Sequence, residues 1–137
     1  MKRIVILLIT ICVIVSGCAT VKLTEKNTTI IMAKVVEKEK GAKNITDTFT
    51  YEGNIYVFIT FRWDDMERPA GAYTIKAKWF NGEKLTSIGK YDANLSSMPY
   101  YVWLTTRGTS IGTGKCRVEV YADDIYLGSK SFTVVEK

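Results

Sequence analysis

Histidine is absent from this 137-residue sequence. Its absence removes Ser-His-Asp and Cys-His mechanisms, imidazole acid–base catalysis and nearly all transition-metal sites. No phosphate loop is present either. The glycine-rich stretch "GTSIGTG" lacks the Lys-Ser/Thr pair, no helix is read after it, and it is predicted to be a mobile inter-strand loop. No cofactor motif and no catalytic constellation emerge. Concentrated positive charge is missing as well. Lys76, Lys78, Lys84, Lys90, Lys115 and Arg117 are scattered among apolar neighbours, whereas nucleic-acid binding wants a basic stripe. No apolar run reaches the roughly 20 residues that a bilayer core of about 30 Å demands.

The longest apolar run is Ile4 to Val15, interrupted only by Thr10. As a helix it spans roughly 18 Å. With Lys2 and Arg3 in front and Ser16 and Gly17 behind, it has the three-part layout of a secretory leader covering residues 1–17. Lys2 and Arg3 leave with that leader, so 17 basic residues face 14 acidic ones and the net charge falls from +5 to about +3.

Val15-Ser16-Gly17-Cys18 resembles the lipobox of bacterial lipoproteins: an aliphatic residue, two small residues and an invariant cysteine. Valine stands where leucine is commoner. The resemblance implies a diacylglyceryl thioether on Cys18, cleavage before it, and acylation of the new amino group, commonly with palmitate. Two or more chains anchor stably where one is marginal, because each buried CH₂ contributes about 0.8 kcal/mol. Ala19 follows the cysteine, which by the same resemblance implies the outer membrane, facing the periplasm. Cys12 is discarded with the leader, leaving Cys116 as the only other thiol. No intramolecular disulfide is then available, despite an oxidising compartment. Alternation with Val118 and Val120 predicts that Cys116 is an inward-facing small hydrophobe.

Residues 18–29 read as the lipidated cysteine and a polar tether, and residues 30–137 as one domain. The pattern there is β throughout. "TIIMAKVVEK" is a first strand. In "NIYVFITFRW", Ile55, Val57, Ile59, Phe61 and Trp63 share one face and Tyr56, Phe58, Thr60 and Arg62 the other, as in a central strand covered on both sides. Tyr73, Ile75, Ala77 and Trp79 repeat this logic before an Asn81-Gly82 turn, predicted as type I′. "PYYVWLTT" and "KCRVEVY" follow. A last hairpin turns at Ala122-Asp123-Asp124, and its inward set changes from Ile125/Leu127 to Phe132/Val134, predicting a bulge near Gly128. Seven or eight short strands predict an all-β fold: a single antiparallel β-sandwich, immunoglobulin-like in the broad sense, with a small β-barrel as the alternative. Trp63, Trp79 and Trp103 are expected to fill the core.

The stretches "AGAYTIKAKWFNGEKL", "PYYVWL" and "GTGKCRVEVYADDIYLGSKSFTV" are similar to immunoglobulin-like sandwich domains of exported bacterial proteins and lipoproteins. Those domains end on Gly-x-Trp-x-Val-Glu-Val-Tyr-x-Asp-Gly and a strand with a late Phe-x-Val. The likeness spans about residues 69–135. Cys116 replaces the tryptophan and Asp124 the turn glycine. It implies a fold and transfers no catalytic residue.

Two sets of side chains remain as sites. Asp64, Asp65 and Glu67 cluster at a strand end, and Asp123 and Asp124 at a hairpin tip. Such carboxylates suit Ca²⁺ or glycoside hydrolysis, yet lack Asp-x-Asp-x-Asp-Gly spacing and are also what turns prefer. No metal site is assigned. Adjacent Tyr100 and Tyr101 must point to opposite faces of a strand, so one is expected to be exposed and able to stack on a ligand. The functional expectation is a non-enzymatic protein-interaction module, tied to the membrane by lipid and presenting loops and an edge to an envelope protein. The alternative is carbohydrate or small-ligand binding through exposed aromatics.

Overall fold

The computed structural model describes residues 22–64 and 68–137. Nine strands occur among them: β1 (Thr28–Glu37), β2 (Gly41–Ile45), β3 (Thr48–Thr50), β4 (Asn54–Phe61), β5 (Gly71–Asn81), β6 (Lys84–Leu95), β7 (Tyr100–Arg107), β8 (Gly114–Ala122) and β9 (Ile125–Val135). They form a four-stranded sheet ordered β2-β1-β4-β7 and a five-stranded sheet ordered β3-β9-β8-β5-β6. The two sheets remain separate, so the architecture is a sandwich and the barrel alternative falls. Every pairing is antiparallel except that of β3 with β9, where Phe49 lies beside Val134 in a parallel register.

Strand alternation builds the core. On β4, Ile55, Val57, Ile59 and Phe61 are all fully buried. The opposing layer supplies Ile75, Ala77 and Trp79 from β5, Cys116, Val118 and Val120 from β8, and Phe132 and Val134 from β9. Trp79 sits edge-on to Phe132 at 5.9 Å between ring centroids, and Phe132 edge-on to Phe49 at 5.8 Å. These offset geometries suit the quadrupoles of aromatic rings. These three rings all belong to the five-stranded sheet and form its aromatic share of the core.

Several sequence expectations need correction. The packed domain does not wait for Ile30. Leu23, placed in the tether, is only 2% exposed within the core. A 3-10 turn at Glu25–Asn27 leads straight into β1. The Arg62 N–H then donates to the Asn27 carbonyl at 2.9 Å, tying this segment to the end of β4. An amphipathic period cannot develop in so short a stretch, so one buried leucine leaves no pattern. Strands β2 and β3 leave no pattern in the sequence, because five- and three-residue strands are too short for alternation to show.

The β5–β6 turn is centred on Gly82 and Glu83, since Asn81 already pairs with Lys84. Gly82 has φ +58° while Glu83 is not left-handed, which matches type II′, not I′. The bulge expected near Gly128 is present. Val120 pairs with Gly128 and Tyr121 with Tyr126, leaving Leu127 as the extra residue. Leu127 is buried, but Ile125, expected beside it, is 41% exposed at the strand end.

The glycine-rich loop is bonded throughout. Residues Gly108–Ile111 form one helical turn, the Gly108 N–H donates to Gly53 at 3.0 Å, and the Asn81 side-chain amide donates to the carbonyls of Ile111 and Thr113. Buried Ile111 pins it to the core.

Candidate binding surfaces

Alternation that sends Ile55, Val57 and Ile59 inward sends Tyr56, Phe58 and Thr60 to the outer face of the four-stranded sheet. The β7 register places Trp103 opposite Phe58 and Tyr101 opposite Thr60. The three rings form a parallel set: Phe58 to Tyr101 spans 5.5 Å with planes 26° apart, and Phe58 to Trp103 spans 6.3 Å with planes 14° apart. Phe58 is covered by its neighbours at 8% exposure, whereas Tyr101 is 48% and Trp103 37% exposed.

Of the adjacent tyrosines, Tyr101 is therefore the exposed one, and Tyr100 is half-buried against the core. Trp103 was expected in the core and lies outside it. Its strand alternates with Val102 and Leu104, which take the inward places, so its parity with Tyr101 decides the matter. Alternation along β7 carries this signal, against the tendency of a large ring such as tryptophan to be buried.

Above these rings runs the β1–β2 turn. A side chain at Gly41 would begin 3.8 Å from the tip of the Phe58 ring. Between the turn and the rings lies a groove of about 610 Å³, lined by Lys38, Lys40, Phe58, Tyr101 and Trp103 among others. A volume of this order suits a small ligand or a short segment of chain. Glu37 at the base of the turn accepts from Lys43 at 2.6 Å and lies 3.6 Å from Lys40.

The second surface is the rim of the five-stranded sheet. Strand β6 runs twelve residues, about twice the usual strand length. It pairs with β5 on one side and with no strand on the other among the described residues. Leu85, Ile88 and Tyr91 along it are 44%, 46% and 50% exposed. On the outer face of the same sheet three of the charged residues are already engaged. Lys78 lies over the Tyr121 ring at 4.6 Å, Arg117 over Phe80 at 4.1 Å, and Arg117 meets Glu119 at 3.7 Å.

The carboxylates singled out from the sequence do not gather among the described residues. Asp64 is exposed, and Asp65 and Glu67 lie outside the described residues. Asp123 serves the fold: its carboxylate accepts from the Thr74 N–H at 2.9 Å and its own N–H donates to the Thr74 carbonyl at 2.9 Å. Cys116 is 5% exposed. Burial pushes its thiol up from 9.0, outweighing a backbone hydrogen bond at Val134, so little nucleophilic thiolate forms near neutrality. Cys18 also lies outside the described residues.

No family model matches the sequence, and no curated protein matches it. Solved structures do match. An immunoglobulin-like protein from Pseudomonas aeruginosa superposes with a TM-score of 0.55 at 13% identity, over 85% of this chain and 99% of that one. The fold is immunoglobulin-like. A β-glucosidase from Listeria innocua, in complex with isofagomine, matches this immunoglobulin-like sandwich with a TM-score of 0.50 at 10% identity, over 78% of this chain but 16% of the enzyme. At such identities the likeness concerns architecture, and the sandwich must be read for function from its own surfaces.

Proposed function

We propose that this chain is a lipid-anchored, non-enzymatic protein-interaction module of the bacterial envelope, held at the outer membrane through Cys18 and facing the periplasm. The observation that carries the interaction reading is the β6 edge. Unpaired N–H and C=O groups along a strand form a template for another strand, and soluble proteins usually blunt such edges with shortness, charge or proline. Here the edge is long, lacks proline, and carries three exposed apolar side chains between Lys84 and Lys90 and just beyond. A partner strand laid along it would gain main-chain hydrogen bonds, with Leu85, Ile88 and Tyr91 offering side-chain contact.

The test is a photo-crosslinking residue placed singly at Ile88 and at Tyr91 in intact cells, with Glu52 as a remote control. Both β6 positions should capture the same protein and the control should not. Capture that is no stronger at β6 than at Glu52 would refute the edge reading.

A second reading rests on the aromatic groove of the four-stranded sheet. Exposed Tyr101 and Trp103 beside Phe58 support binding of a ligand with flat apolar parts, the carbohydrate or small-ligand alternative. Loss of binding in Tyr101→Ala and Trp103→Ala, measured by titration with envelope glycan fragments, would be its signature.

A further inference from the structure

The outer face of the four-stranded sheet carries more than its rings. Val35 and Ile45 on β1 and β2 are 39% and 66% exposed, extending the apolar surface beyond Tyr101 and Trp103. Lys43 and Arg107 stand on the same face by strand alternation, and Lys38 and Lys40 crown the β1–β2 turn. Against these four cations stand Glu37 and Glu39 among the described residues, and Glu37 is paired with Lys43 and Lys40, so Lys38 and Arg107 are the cations outside that cluster.

The position of the chain's N-terminal segment adds a distance. Thr28 lies opposite Phe61, and Phe61 opposite Tyr100. The chain therefore enters the sandwich at the same level as the start of β7, one residue from Tyr101 and three from Trp103. From Cys18 to buried Leu23 there are five residue steps, which extend to no more than about 18 Å. If Cys18 is lipidated, the aromatic face is held within a short reach of the bilayer surface.

We infer that this face is a second membrane contact: Tyr101, Trp103, Val35 and Ile45 seat in the interfacial layer of the bilayer that holds the Cys18 lipid, and the surrounding lysines and Arg107 meet anionic headgroups. Amphipathic tyrosine and tryptophan rings favour that layer, with one end apolar and the other wet. Cations gain from an anionic surface only within a Debye length, about 8 Å at physiological ionic strength, a proximity that a tether of this length permits. The inference rests on the lipid-anchor reading, and it specifies a phospholipid interface as the occupant of the aromatic face.

The test uses the lipidated protein in vesicles of phosphatidylethanolamine and phosphatidylglycerol, with and without bromine on the acyl chains. Trp63 and Trp79 are buried at 3% and 0% exposure, so Trp103 alone is placed to meet the quencher. Brominated vesicles should quench the wild type, and Trp103→Phe should remove the quenchable share of the emission. The double variant Lys38→Glu/Lys40→Glu, on an exposed turn, should weaken quenching while the protein still sediments with vesicles. Co-sedimentation without Trp103 quenching overturns the face contact and leaves the anchor standing. Failure to co-sediment overturns the anchor and the contact together. Shielding of Trp103 by soluble glycan fragments, without quenching by brominated lipid, assigns the face to a sugar and also overturns the proposal.

Discussion

Gly108→Ala adds one methyl group at the most crowded glycine of the molecule, and its cost follows from the surrounding backbone. The new Cβ would lie 2.5 Å from the carbonyl oxygens of both Thr50 and Tyr51 and 2.8 Å from the Tyr51 Cα. All three are main-chain atoms next to β3, so no flexible side chain can yield. Overpacking of this kind costs about 1–3 kcal/mol. Relief by moving the helical turn outward would stretch the Gly108 N–H from the Gly53 oxygen, now 3.0 Å away, and an unsatisfied buried donor costs a further ~1–3 kcal/mol. Alanine's better helix propensity returns at most about 1 kcal/mol. The net expectation is a loss of roughly 2–4 kcal/mol. Gly89→Ala is the control with the same chemistry. Its Cβ would touch Leu104 and Trp79 at 3.8–3.9 Å, ordinary contact, and its φ is not left-handed. Removing a strand glycine there should stabilise by about 0.5–1 kcal/mol. Urea titration of both variants measures the two signs. A Gly108→Ala midpoint equal to wild type, or equal losses in both variants, would refute the packing argument.

Four further outcomes follow from the same geometry. Leu23→Ala should cost about 2–5 kcal/mol in urea melts, as for a buried core leucine, whereas a residue on a free tether would cost almost nothing. Trp79→Ala should lose about 3–5 kcal/mol and Trp103→Ala less, about 0.5–1.5 kcal/mol for its ring contact with Phe58; the reverse order would contradict the assignment of the two rings. Native Cys116 should resist iodoacetamide at pH 8 and react once urea unfolds the chain, and rapid stoichiometric labelling of the folded protein would count against its burial. Stability should fall as pH rises above about 9: burial raises the folded-state Cys116 thiol from 9.0, so the unfolded chain loses that proton first. Tyr121 adds to this above 10.0, its phenol raised chiefly by desolvation and by its hydrogen bond to Glu119. Cys116→Ala should flatten the lower part of that slope, and an unchanged slope would remove the thiol from the account.

Period-two alternation made much of the sandwich legible. Ile55 to Phe61 on β4, Ile75 to Trp79 on β5 and Cys116 to Val120 on β8 lie where the pattern placed them, because a strand sends successive side chains to opposite faces whatever it packs against. Alternation also put Tyr100 and Tyr101 on opposite faces, without saying which one is exposed. It failed where the element was short, as in β2 and β3, and where one residue carried the packing, as with Leu23. Trp103 shows a different limit. Its bulk argued for the core, but facing residues on β7 and β4 put it beside Phe58 on the outer side.

The sequence alone determined the β character, the inward stripes and the change of face near Gly128, all of which reside in near neighbours along the chain. Tertiary structure decided what covers each stripe. A strand's sequence says which side chains share a face, but exposure depends on whether another layer lies above it, and that layer comes from distant residues. So Phe58 on the second face of β4 came to lie covered beside exposed Tyr101 and Trp103 of β7, under the β1–β2 turn, and β6 became an edge with no strand beyond it among the described residues.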